Sequence, residues 1–178
     1  MSRNRYVGDY HLADTVDDRG KIRTDVEYTG GLYSFSKDAE TIRRTKNKSL
    51  LLCVAGWLAY IVAMIPISVA MKTFYSAIPF VFIAVPMALL TGTAAEVFPL
   101  KERFIHKHAD RIENRWPASS AFIAILSGIA LTGEAVTMIR GQAMTSGDLV
   151  FVLCAPVLLL TGILAWRAGK DLKCEKLP

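Results

Sequence analysis

The run of residues 49–98 constrains the fold more than any other part of the sequence, because it is almost free of charge. It contains one basic residue, Lys72, and one acidic residue, Glu96. A bilayer core about 30 Å thick is crossed by about 20 helical residues. The run is therefore too long for one crossing and suits two, with Lys72 at the turn. It predicts transmembrane helices over 49–71 and 74–98.

Two further apolar segments extend this pattern to an all-α membrane protein. Helix three is expected over 118–139 and helix four over 148–166. The predicted transmembrane domain of four helices therefore spans 49–166. It is flanked by a polar segment over 1–48 and a basic tail over 167–178.

The distribution of Lys and Arg predicts the orientation of these helices. Residues 1–48 hold ten, 99–117 hold five and 167–178 hold four, whereas the two opposite turns hold only Lys72 and Arg140. The positive-inside rule assigns the basic side to the cytoplasm. We therefore expect a multi-pass protein of the plasma membrane with both termini and the central connector in the cytoplasm. The same distribution favours a topology signal over nucleic-acid binding.

The N-terminal segment predicts a small β-hairpin. Alternating apolar and polar side chains over 21–28 and 32–35 flank Gly30 and Gly31. A tight hairpin turn needs positive φ, which glycine adopts readily. We therefore expect the hairpin at this glycine pair. A second turn candidate, after an earlier strand, lies at 17–20.

Between helices two and three, residues 99–117 carry charged side chains around an apolar stripe. The stripe recurs at every fourth residue, which on a helix places its members on one face. Its members are Leu100, Phe104, His108, Ile112 and Trp116. We expect an amphipathic connector helix that lies at the headgroup level or extends helix two, and that ends at Pro117.

An internal repeat is indicated by the seven-residue run over 86–92, which recurs over 156–162 with five identical residues. The matched positions are Pro86, Thr91, Gly92, Pro156, Thr161 and Gly162. The match reflects either a tandem duplication of a two-helix hairpin or chance, since small and hydroxyl residues concentrate at contacts between membrane helices. In either case, Thr91 and Thr161 are expected to donate hydrogen bonds to their own i−4 carbonyls.

Apart from Asp148, the first residue of helix four, Glu96 and Glu134 are the only acids within the apolar segments. A carboxylate at membrane depth often marks an ion path. A carboxylate near the interface with a basic neighbour has a structural role instead. We favour the structural role for both acids. With this topology the two acids lie near opposite ends of their helices and form no acid–base pair. Expected partners are Lys101, Arg103 or Arg167 for Glu96, and Arg140, Lys72 or outer water for Glu134.

The sequence contains no motif for catalysis or cofactor binding. His106 and His108 fall on different faces of a helix, with no cysteine or carboxylate at ligand spacing, so no metal site is expected. Cys53 and Cys154 are expected at different depths, which excludes a disulfide between them. Cys174, in the tail, is expected to be an exposed, reduced thiol. We therefore expect no cofactor and no enzymatic activity.

Residues 28–35, 111–115 and 119–120, together with Glu134, resemble small four-helix membrane proteins of Gram-positive bacteria. Those proteins pair a short N-terminal segment containing tyrosine and glycine with a basic central loop. The resemblance covers most of the chain, but residues 1–27 extend beyond the shorter version. It implies a four-helix architecture and a bacterial plasma membrane, and it carries over no catalytic residue.

Two functional hypotheses follow from the sequence. The first is a non-catalytic accessory or regulatory subunit that contacts a membrane-protein partner through its cytoplasmic face, where nearly all the charge lies. The second is a small homodimeric transporter or channel that uses the helix prolines, the repeat and Glu134. Dimerisation is required in the second hypothesis because a single four-helix chain has little room for a pathway. The lipid bilayer is the partner common to both.

Overall fold

The computed structural model describes residues 9–16, 22–65, 74–101, 103–141, 143 and 145–177. Within these residues the chain is mostly helical, with two small sheets. The elements in chain order are β1 (Tyr10–Val16), β2 (Ile22–Tyr28), β3 (Leu32–Phe35), α1 (Ala39–Met64), α2 (Phe74–Phe82), α3 (Ala84–Val97), β4 (Arg103–Ile105), α4 (His106–Asp110), a π-helical turn (Arg111–Arg115), α5 (Trp116–Ile139), α6 (Ser146–Asp171) and β5 (Cys174–Lys176).

Four helical segments in the described part of the chain are long and apolar enough to cross a membrane. They are α1, α2 with α3, α4 through α5, and α6, with lengths of 26, 24, 34 and 26 residues. This confirms the prediction of four long apolar helices, although their bounds differ from those predicted.

The first helix begins at Ala39 rather than at residue 49, because Asp38 caps it. The Asp38 carboxylate accepts a hydrogen bond from the Thr41 backbone N–H at 2.9 Å, which satisfies one of the orphan donors of the first turn. The polar residues 39–48 are thus part of the same helix as the apolar residues. The predicted end of helix one, together with Lys72, lies outside the described residues.

The second apolar segment is divided at Ile83, between α2 and α3. The Ile83 N–H donates to the Phe80 carbonyl at 3.1 Å, which is a tighter i−3 bond. Pro86, three residues further on, has no N–H to donate to the chain before it. The predicted helix over 74–98 is therefore two helices in line.

The connector differs most from its prediction, because its start forms a strand. Residues 103–105 are β4, and the helix that begins at His106 continues into α5 without a stop at Pro117. The π-helical turn allows the helix to continue past Pro117. The Trp116 N–H donates to Arg111 O, five residues back, so the backbone hydrogen bonds have changed from i−4 to i−5 spacing before the proline is reached. The tail likewise is not entirely irregular, since α6 runs to Asp171 and β5 follows.

The predicted hairpin at Gly30 and Gly31 is wrong, because the strands on either side of these glycines pair with different partners. β2 pairs with β1 in an antiparallel hairpin, in which Tyr10 faces Tyr28. β1 is the earlier strand that the sequence predicts, and the second predicted turn, at 17–20, lies outside the described residues. β3 instead joins a three-stranded antiparallel sheet in the order β4-β3-β5.

The four long segments pack as a ring of antiparallel neighbours. α6 lies against α1 and α5, while α2 and α3 lie against α5, and α3 also contacts α1. Phe80 packs between Tyr60 and Phe151, with its ring stacked on the first at 5.1 Å and edge-on to the second at 5.0 Å between centroids. Ile123 of α5 is also fully buried, so all four segments contribute to the core of the bundle.

The matched threonines behave as predicted, whereas the matched glycines do not share one environment. Thr91 and Thr161 each donate to the carbonyl four residues earlier at 2.8 Å. A Cβ on Gly162 would lie 2.6 Å from Ala124 N, while a Cβ on Gly92 would meet nothing within 4 Å. The tandem duplication itself stays a prediction.

The glycine pair yields a matched test of the α5–α6 contact. Gly162→Ala forces two helix backbones apart, and we expect it to lower the free energy of unfolding by about 1–3 kcal/mol. Gly92→Ala should leave stability unchanged or raise it by up to about 1 kcal/mol, because alanine has the higher helix propensity. Thermal unfolding of both variants in detergent measures the difference, and equal destabilisation would contradict the close approach at Gly162.

Candidate functional site

A three-stranded sheet holds three distant parts of the chain together at one end of the bundle. β3 is the central strand, and its Ser34 aligns with Arg103 of the connector and Glu175 of the tail. The Ser36 backbone N–H extends the pairing by donating to Lys173 O at 3.0 Å. The segment before α1, the connector and the tail therefore share one end of the bundle, as predicted. We call this end, with its β4-β3-β5 sheet, the sheet end.

Large apolar side chains fill the sheet end beneath the sheet. Phe104 is 4% exposed, and its ring centroid lies 4.8 Å from that of Phe35. The Trp116 indole N–H donates to Ala165 O at 2.8 Å, so this buried side chain has its polar group satisfied. Other side chains at most 2% exposed here are Ile112 and Leu172. The sheet end is thus packed like a core.

A cavity of about 500 Å³ opens between the start of α1, the end of α3 and β3. Its lining is basic on one part and apolar on another, and consists of Ser34, Phe35, Lys37, Ala39, Ile42, Arg43, Lys46, Asn47, Phe98, Leu100 and Lys101. We call this cavity the basic pocket. The sequence analysis does not predict this pocket, although the basic run over 43–48 indicates a concentration of positive charge there.

Glu96 pairs with Arg111 of the π-helical turn, so the expected partners Lys101, Arg103 and Arg167 are wrong. The strand at 103–105 draws the start of the connector to the sheet, and α6 packs mainly against α1 and α5 rather than α3. The π-helical turn is the basic element that contacts α3. The second carboxylate oxygen of Glu96 is buried and accepts no hydrogen bond in the described part of the chain.

Glu134 is buried within α5, at 2% exposure, so the expected contact with outer water is wrong. Its Oε2 is buried and accepts no hydrogen bond from the residues that the structure describes. No ion pair joins it to Arg140, which is exposed, and Lys72 lies outside the described residues. Glu134 lies towards the end of the bundle opposite the sheet end, so it forms no pair with Glu96, as predicted.

His106 connects the β1–β2 hairpin to the sheet end. Its Nδ1 lies 3.3 Å from the Asp9 carboxylate, and its ring stacks on Tyr33 with centroids 5.4 Å apart. The backbone N–H of His106 donates to the Tyr28 hydroxyl at 3.0 Å. Across the described residues, no group of three or more His, Cys, Asp or Glu side chains is placed to hold a metal ion.

Cys174 is half-buried on β5 rather than exposed, which corrects the expectation for the tail thiol. Burial, and then the negative charge of Glu113, raises the pKa of the Cys174 thiol to about 12. Both effects disfavour the thiolate, which is the reactive form of cysteine. Cys174 is therefore held in its unreactive form by the sheet.

Cys174 should consequently react slowly with a maleimide at pH 8. An exposed thiol has a pKa of about 8.5, so Cys174 has a thiolate fraction about a thousandfold smaller. A less acidic thiolate is a stronger nucleophile, which offsets part of the smaller thiolate fraction. The expected alkylation rate of Cys174 is therefore some tens of times slower than that of an exposed thiol. The control is Glu175→Cys in a Cys174→Ser chain, since Glu175 is an exposed neighbour on the same strand. Equal alkylation rates for the two thiols would contradict the burial of Cys174.

No family model, curated protein or solved structure matches this chain. The function proposed next is therefore inferred from the residues and contacts described above.

Proposed function

We propose that the protein is a multi-pass integral membrane protein that acts as a non-catalytic accessory or regulatory subunit. In this proposal the four long helices cross the plasma membrane, and the sheet end faces the cytoplasm. A partner membrane protein binds at the sheet end. The observation that carries the proposal is the apolar exterior of the bundle, together with the small polar side chains in its interior.

Large apolar side chains face outward on all four segments, while small polar side chains lie inside. Outward examples, with their exposed fractions, are Leu58 (59%), Val81 (50%), Phe122 (59%) and Leu153 (72%). Inward examples at most 2% exposed are Ser76, Ser127 and Thr161. Soluble monomers rarely expose a contiguous apolar patch larger than a few hundred Å². An exterior that is apolar around the whole bundle favours lipid as its solvent.

The charge distribution supports the orientation. Nineteen of the 21 Lys and Arg residues belong to the sequence segments 1–48, 99–117 and 167–178. The strands that these segments contribute to the β4-β3-β5 sheet meet at the sheet end. Basic residues near transmembrane helices are retained on the cytoplasmic side. The sheet end is accordingly assigned to the cytoplasm.

Packing at the sheet end favours an accessory role over a pathway through a single bundle. Ile112, Trp116 and Leu172 fill the cross-section there with almost no exposure. Ions or polar solutes need a wet, polar route, which this packing does not offer. The sheet above it presents a surface built from three strands, and such a surface suits recognition of another protein.

The alternative is a small homodimeric transporter or channel, and Glu134 is the observation that favours it. Ionisable groups buried within membrane helices often serve ion or proton movement. In that case the pathway lies between two copies of the chain, since the interior of one copy is closed at the sheet end.

The proposed orientation is tested by cysteine labelling in intact cells, with the three native cysteines replaced by alanine. Lys173→Cys reports the sheet end, and Arg140→Cys reports the opposite end. We expect a membrane-impermeant maleimide to label Arg140→Cys in intact cells and Lys173→Cys only after lysis. The reverse pattern contradicts the orientation, and labelling of both variants in intact cells contradicts membrane crossing.

The accessory role is tested by site-specific photo-crosslinking in cells. A photo-crosslinking residue in place of Glu175, which is exposed on β5, should give a cross-link to a second protein. The same residue in place of Ile139, which is 85% exposed at the opposite end of the bundle, should give none. Mass measurement in mild detergent should give one chain of 19.6 kDa for the protein purified alone. A stable homodimer, cross-linked only to itself, would favour the transporter instead.

A further inference from the structure

The basic pocket combines four cationic side chains with a lining that contains no acid. The cations are Lys37, Arg43, Lys46 and Lys101. Lys37 is engaged with Asp171, outside the lining. Arg43 and Lys101 have no acidic partner among the described residues, so their charge is available to an anion.

Lys46 is fixed in position before any ligand arrives. Its Nζ donates to Leu100 O at 2.6 Å and lies 5.0 Å from the centroid of the Phe35 ring. An ammonium group has three N–H donors, so two remain for a ligand. A cation held in this way loses little side-chain entropy when it binds an anion, which strengthens binding.

The remaining wall of the pocket is apolar and continues onto the apolar exterior of the bundle. Ile42 is 5% exposed at the base, while Phe98, at the end of α3, is 49% exposed at the rim. A free phosphate ion would gain nothing from this wall. A molecule with a phosphate at one end and hydrocarbon at the other would contact both parts of the pocket.

The pocket also lies at the depth of lipid headgroups. On α1, Lys46 and Arg43 precede the first outward-facing leucine, Leu50, by four and seven residues. A rise of about 1.5 Å per residue places them about 6 and 10 Å beyond the hydrocarbon. The headgroup layer extends about 5–8 Å on each side of the hydrocarbon core. The Cα atom of Lys46 therefore lies within the headgroup layer. That of Arg43 lies a short distance outside it, from where the long arginine side chain reaches back to the lipid phosphates.

We propose that the basic pocket binds the phosphate headgroup of an anionic phospholipid from the surrounding leaflet. Arg43, Lys46 and Lys101 contact the phosphate, and Phe98 contacts the first methylenes of the acyl chains. The site rests on the proposed membrane location, and it adds lipid recognition to a function that otherwise concerns only a protein partner.

Native mass spectrometry of the full chain in detergent tests the site, with phosphatidylglycerol as the anionic probe and phosphatidylcholine as the neutral one. Arg43→Gln/Lys46→Gln removes two charges from the pocket. Arg44→Gln/Lys48→Gln removes two charges from the same helical turns outside the pocket lining, and is the matched control. We expect the first pair to weaken phosphatidylglycerol binding about tenfold or more, and the control to change it less than about twofold. Phosphatidylcholine binding should be unaffected by either.

Additional measurements distinguish specific lipid binding from loss of stability, unspecific attraction and binding of a soluble anion. Because Lys46 also holds Leu100, each variant is checked by thermal unfolding, and Lys101→Gln provides a change outside α1 that should weaken phosphatidylglycerol binding severalfold. Equal losses in the pocket and control variants would overturn the site in favour of unspecific attraction. Displacement of the lipid by inorganic phosphate at equal concentration would overturn it in favour of a soluble anion. Neither result alters the cysteine labelling that tests membrane orientation, so failure of the lipid site is distinguishable from failure of the proposed function.

Discussion

The sheet end depends on the backbone pairing of β3 with strands on both of its sides. Three-residue strands such as β4 and β5 have too few hydrogen bonds to persist alone. As the central strand, β3 offers its N–H and C=O groups to both, and so joins sequence positions as distant as Ser34 and Glu175. The packing of Phe35 on Phe104 follows from this pairing, as does the Phe35 wall of the basic pocket.

The interior of the bundle is compatible with a lipid exterior because its hydroxyl groups are satisfied within their own helices. Ser49, Ser120, Ser127 and Thr161 each donate to the carbonyl four residues earlier, at 2.7–2.8 Å. A hydroxyl bonded in this way can be buried without a partner from another helix. Small residues then let the helices approach closely, most clearly where Gly162 lies against α5. Many other large apolar side chains face outward, as on a bundle whose expected solvent is lipid.

Particular elements show where reasoning from sequence stopped short. The glycine pair at 30–31 was expected to form a turn, because alternation on both sides is the local signature of a hairpin. The strand partners of β3 lie about 70 and 140 residues further along the chain, and no local pattern reports such distant pairing. The four-residue stripe of the connector is wrong only at its start for the same reason, since Phe104 lies on a strand of the sheet, whereas Ile112 and Trp116 are buried on a helix. Glu96 was placed correctly at the end of its helix, but the π-helical turn that brings Arg111 to it is not encoded by charge spacing.

The sequence by itself determined the number of long apolar helices, the side-by-side grouping of the basic segments and the threonine bonds within helices. Each of these depends on residues close together in the chain, or on composition summed over a segment about as long as a bilayer is thick. Tertiary structure decided the strand order β4-β3-β5, the partner of Glu96, the burial of Glu134 and Cys174, and the basic pocket. These features bring together residues from separate segments, and their free energy comes from contacts that exist only once the four helices have packed.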